Sequence, residues 1–293
     1  MSRRPGGDLR TATIFVLLAL GFAWLDWGAV ALSRAGVLPF SMESADWFRA
    51  SVPGTIVSFV LRDFGPALAG LLALALCRGR AGVAELGRRL VRWRFPGWLW
   101  LAALFPLAGN LLVVLVGLAR GELRPAAAPP SVAKFSLIFL LMAIFDGPLG
   151  EETAWRGVLL PELLRRFSAP VAALAVGVVW YLWHVPLYLA DGKLGSALEH
   201  ALFLLSCVFL SAIFTWFFLR SGGSVLLMIL LHDLSNFSVV LRRKLFVATT
   251  DSPLPTLLLL AWLALLGLAA FAALRRAGRL QPPSTRPSPD SSA

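Results

Sequence analysis

The run ALFLLSCVFLSAIFTWFFL, residues 201–219, contains no acidic or basic side chain over a length that reaches across a bilayer. A spanning helix needs about 20 predominantly apolar residues, so this stretch is read as a membrane helix within limits of 196–219. Working outward with the same ruler, comparable stretches fall at 169–190, 135–164, 97–119, 53–76 and 11–33 on one side, and at 222–242 and 254–274 on the other. The expectation is an all-α polytopic transmembrane bundle of about eight spans, a domain of residues 1–276 with a cavity inside the bundle. Within 135–164, Gly147-Pro148 and Gly150 are expected to break or kink the helix, because proline removes a backbone donor and glycine loosens the chain.

Composition agrees. Hydrophobic residues make up 58% of the 293 and charged ones 15%, with a mean hydropathy of +0.77; soluble domains carry roughly half and a quarter. The net charge of +11 does not indicate nucleic acid, because the basic residues lie in short loops between apolar spans, where they orient a protein against anionic lipid. Six arginines between Arg78 and Arg94 dominate that bias and predict both termini on the cytoplasmic side. Arg3, Arg4 and Arg10 ahead of an apolar run, with Ala29-Val30-Ala31 after it, resemble a signal peptide. The run is too long for such a core, and it is read as an uncleaved first span. Cys77 and Cys207 have neither metal nor disulfide spacing and are read as packing residues. Residues 277–293, rich in Pro and Ser, read as a disordered cytoplasmic tail.

Three polar clusters interrupt the apolar spans: Glu151 to Arg156, Trp180 to His184, and His232 to Asn236. Ionisable groups at membrane depth are costly, so their default reading is a functional site with partners. Glu152 and Arg156, four apart, share a helical face and can neutralise one another. Glu151, about 100° round the axis, points away from that pair and is free to act as a base. Trp180 with His184, and His232 with Asn236, repeat the four-residue spacing, so each span offers a two-residue patch near mid-membrane depth where the patches can meet.

The patterns E-E-x-x-x-R, an aromatic four before His, and H-x-x-x-N, in this order and each in an apolar span, resemble those of the CPBP intramembrane endopeptidases. That family includes the type II CAAX prenyl proteases and the bacteriocin-processing and self-immunity proteins. The resemblance covers about 133–242, and Trp180 stands where the family usually shows Phe. It implies an endopeptidase acting on a membrane-associated peptide or protein, lipidated substrates included. In that reading Glu151, helped by His184, activates water, His232 and Asn236 stabilise the oxyanion, and Glu152 and Arg156 support the site. No cofactor is expected. The alternative is zinc held by Glu151, His184 and His232, a His₂Glu set known from catalytic sites. Two further classes stay open: a transporter using the buried charges as a relay, and a non-catalytic immunity or assembly factor. Asp26, Arg62, Asp63, Glu199 and His200 are read as internal pairs or helix-end residues.

Overall fold

The structure, a computed structural model, describes residues 9–37, 60–61, 63–191 and 196–276. Arg62, the side chain of Asp26, most of 53–62 and the expected tail at 277–293 lie outside the described residues. Among the described residues the chain is almost wholly helical. The elements are α1 (Arg10–Ala23), α2 (Ala29–Arg34), α3 (Gly65–Leu90), α4 (Trp98–Ala102), α5 (Phe105–Ala119), β1 (Leu123–Pro125), α6 (Val132–Phe145), α7 (Pro148–Ala154), α8 (Leu160–Leu164), α9 (Ala169–Asp191), α10 (Ala197–Arg220), α11 (Val225–Leu245), β2 (Phe246–Ala248) and α12 (Leu254–Arg276).

Seven stretches of these are long and apolar enough to cross a membrane, with α4–α5 and α6–α8 each counted as one. The protein is an integral, multi-pass helical bundle. The expected first span differs in form: α1 has 14 residues and continues into α2 through a π-turn at Trp24–Gly28. One extra residue in that turn satisfies the backbone while shifting the helix face. The expected break at Gly147-Pro148 is present, since α6 stops at Phe145 and α7 starts at Pro148.

One local reading is corrected. The arginine-rich segment after residue 76 is helical as far as Leu90, a continuation of α3 bent at Gly79 (φ +57°), and only Arg92 and Arg94 lie in the connection beyond it. It stays helical because Gly82 and Leu86 are buried and Glu85 pairs with Arg78 at 3.1 Å and Arg89 at 2.5 Å. In the connections after α5 and α11, β1 and β2 pair antiparallel, Leu123 opposite Ala248. Strands this short have little signal of their own.

The threading gives two distinct faces. On one, β1–β2 joins the ends of α5 and α11, and Thr249 donates to the Gly121 carbonyl at 2.7 Å. Glu122 sits there outside the spans, its carboxyl held below the ordinary range by hydrogen bonds from Arg120 and then Ser252. On the other, Arg78 meets Glu162 at 2.8 Å and Ser224 donates to the Arg92 carbonyl at 2.5 Å. Outward-facing Leu17, Leu76, Leu101, Leu265 and Leu268 are exposed in the bare chain, as a lipid-facing surface requires. Inward, Phe15, Trp155, Leu160, Phe214, Leu227 and Met228 form the packed centre.

Candidate active site

The site begins with the break. Gly147 takes φ +98°, a left-handed conformation that only glycine adopts without strain, and a Cβ there would also strike the Glu151 carboxylate. Pro148 follows in the first turn of α7, where its missing N–H has no intrahelical partner to lose. The Gly147 carbonyl accepts from the Glu151 N–H at 2.8 Å. At Gly150 the backbone of α7 lies against the Asp63 carbonyl so closely that no Cβ fits. A short helix is thereby pressed into the bundle with its two glutamates facing different neighbours.

Glu152 faces the interior. Its Oε1 accepts from Arg156 Nη1 at 2.8 Å and from His232 Nδ1 at 2.9 Å. Glu152 and Arg156 are both fully buried, so each neutralises a charge that would be very costly alone. The Arg156 guanidinium packs against two rings, 4.9 Å from the centre of Trp180 and 4.6 Å from that of Phe214. The spacing of Glu152 and Arg156 anticipated their pairing; His232 joining the same oxygen is a contact across 80 residues that no local pattern carries.

Glu151 faces a cavity. Its Oε2 accepts from the indole Nε1 of Trp180 at 2.5 Å and of Trp155 at 3.3 Å. The chain after Glu151 widens into a π-turn at Trp155–Leu159, a form often found at functional sites. On α9, His184 Nδ1 lies 2.9 Å from the Trp180 carbonyl. A carbonyl only accepts, so Nδ1 carries the hydrogen, and in the neutral ring Nε2 keeps its lone pair. On α11, His232 has its Nδ1 on Glu152, and Asn236 stands one turn further along, half-buried.

These groups line one cavity of about 450 Å³, which holds Glu151, His184, His232 and Asn236 together with Trp180 on its wall. Other lining residues come from the second half of α9, the first half of α10 and the middle of α11, among them Tyr188, Phe203 and Ser235. The cavity therefore extends toward the face that carries β1–β2. Glu152 and Arg156 lie behind its wall.

The zinc alternative meets a geometric test. Among the described residues no three or more His, Cys, Asp or Glu side chains are grouped so as to hold a metal ion. His232 and His184 each engage only Nδ1, on Glu152 and on the Trp180 carbonyl, and the two indoles meet only one Glu151 oxygen, so the remaining lone pairs are not what rules against a metal; the grouping of the three side chains is. As arranged, Glu151, His184 and His232 do not form a ligand set.

Several residues of the site were not singled out from the sequence. Trp155, which donates to Glu151 without lining the cavity, stands four after it, so helical spacing was a signal that could have found it. Trp27 and Asp146 line the cavity, and for Trp27 no local pattern pointed there; Asp63, read from the sequence as an internal pair or helix-end residue, is buried and lines the cavity as well. The remaining polar residues separate from the site. Glu199 forms a capping box with Ser196 at the start of α10, and His200 Nδ1 lies 2.8 Å from the Tyr181 hydroxyl.

Residues 133–238, the segment that holds all three clusters, match the family model described as type II CAAX prenyl endopeptidase Rce1-like. A curated relative, CAAX prenyl protease 2 of Methanococcus maripaludis, is 31% identical over 121 residues, 39% of this chain and 41% of that protein. The chain thus aligns with well under half of that relative's length.

Proposed function

We propose that this chain, through its Rce1-like segment, is an intramembrane endopeptidase that hydrolyses a peptide bond in a membrane-associated protein or peptide. The observation that carries the reading is the single cavity within the bundle on which Glu151, His184, His232 and Asn236 converge. Glu151, a carboxylate on that wall, takes a proton from water, and the resulting hydroxide attacks the scissile carbonyl carbon. His184 assists through its Nε2 lone pair, holding or relaying the proton. The carbonyl oxygen becomes an oxyanion that the Asn236 side-chain amide can stabilise by donation.

His232 has a more conditional part. Its Nδ1 can only donate to the Glu152 carboxylate, so its Nε2 carries a hydrogen for the oxyanion only when the ring is the imidazolium. The charges then balance, with Glu152 against Arg156 and Glu151 against His232. When the tetrahedral intermediate collapses, the C–N bond breaks and the leaving amine receives the proton held by Glu151. No step passes through a metal.

The named activity of the archaeal relative makes a prenylated protein terminus the first substrate class to test, with unmodified membrane peptides second. The test compares peptides released from membranes carrying wild-type protein or Glu151→Gln. Glutamine preserves the shape but cannot accept the proton, so the released set should disappear while the protein still inserts and extracts normally. Unchanged release would refute the assignment of Glu151.

A further inference from the structure

We infer that Trp180 is a positioning residue for Glu151, its indole N–H fixing which carboxylate oxygen faces the water; this rests on the endopeptidase reading above. The observation is a division of labour between the two oxygens. Oε2 accepts from Trp180 at 2.5 Å and from Trp155 at 3.3 Å, while Oε1 lies on the Gly147 side, where even a Cβ would collide with it. Glu151 and Gly147 both line the cavity. A glutamate side chain with several rotatable bonds is thereby held in one orientation, with one oxygen engaged by donors and the other presented to the reactants.

The same indole is fixed on its other sides. Its ring lies over the Arg156 guanidinium at 4.9 Å and meets the His232 ring edge-on at 5.4 Å. The N–H therefore cannot swing away without disturbing the Glu152–Arg156–His232 group. A phenylalanine at 180 would supply the ring and its packing but no donor. The extra atom couples the base to the buried charge network through one rigid side chain, and a base held to within a few tenths of an ångström is what efficient proton transfer requires.

The test removes the N–H alone. Replacing Trp180 by 3-benzothienylalanine keeps the bicyclic shape and exchanges the N–H for sulfur; Trp180→Phe is the genetically simple companion. With a quenched fluorescent farnesylated C-A-A-X peptide as probe, kcat should fall about tenfold to a hundredfold, the range expected from losing one hydrogen bond to a charged group, while KM changes little. Independently of turnover, the Trp180 indole resonance in a ¹⁵N–¹H spectrum, assigned by its disappearance in Trp180→Phe, should lie far downfield and move upfield in Glu151→Gln. An indole resonance that ignores Glu151→Gln, or an isosteric replacement with wild-type kcat, overturns the inference. If Glu151→Gln itself still turns over the peptide, the assignment of Glu151 as the base fails instead, whatever the indole resonance does.

Discussion

Replacing Glu152 by Gln should destabilise the bundle far more than replacing Glu151, although the two carboxylates are adjacent. Glu152 and Arg156 are both fully buried and 2.8 Å apart. Without the carboxylate, Arg156 becomes an uncompensated buried cation, and His232 loses its anionic partner as well. Breaking a fully buried pair costs about 3–5 kcal/mol. The two rings packed against Arg156 offset part of this, since cation–π contacts supply roughly 0.5–2 kcal/mol, and the lower end, about 3 kcal/mol, is the expected loss. At roughly 2–4 °C per kcal/mol for chains of this order of size, the melting temperature in detergent should drop by about 6–12 °C. Glu151→Gln keeps an acceptor for both indoles and should stay near the wild-type value. A double variant, Glu152→Leu with Arg156→Met, should recover much of the loss, because an apolar pair removes both desolvation costs. If Glu152→Gln melts with Glu151→Gln, or the double variant is worse than the single, the buried pair does not stabilise the fold as argued.

Asn236→Ala should lower turnover by about 10²–10³ with little change in KM, because an oxyanion donor acts mainly in the transition state; a change in KM alone would remove Asn236 from that role. Purified protein should keep its activity in the presence of a strong chelator and lack stoichiometric zinc; about one zinc per chain with chelator-sensitive activity would move Glu151, His184 and His232 into a metal's ligand set. Reporters fused after the second span and at the C-terminus should report cytoplasm and one at 246–253 the opposite side, which would direct the cavity away from the cytoplasm; a C-terminal reporter on the far side would invert that picture.

The spans were legible because a run such as 201–219 has one solvent it can tolerate, and the break at Gly147-Pro148 because both residues act on their own backbone. The four-residue spacing of Glu152 and Arg156 fixed their shared face, and the pair indeed meets. Spacing says how residues lie about one axis and is silent on which neighbour approaches. The Trp180 indole reaching Glu151 across 29 residues, and His232 reaching Glu152 across 80, depend on that approach. The π-turns at Trp24–Gly28 and Trp155–Leu159 were illegible for a related reason: they add a residue to a turn to suit packing, and no residue type demands them. The arginine-rich extension of α3 was misread because Glu85 and Glu162, which tie down Arg78 and Arg89, act from another turn and another helix.

Arg120 and Glu122, with the arginine 61% exposed, sit where dissolved ions can reach them, and a Debye length of about 8 Å at physiological ionic strength weakens such a pair. The Glu152–Arg156 pair, with no exposed surface on either side chain, is beyond that atmosphere. The field it projects onto the cavity wall is set by the protein alone. Changes in the salt around the membrane will therefore retune the surface pairs and the attraction of the exposed arginines Arg80, Arg88, Arg92 and Arg94 to lipid headgroups, while the electrostatics behind the cavity wall stay constant.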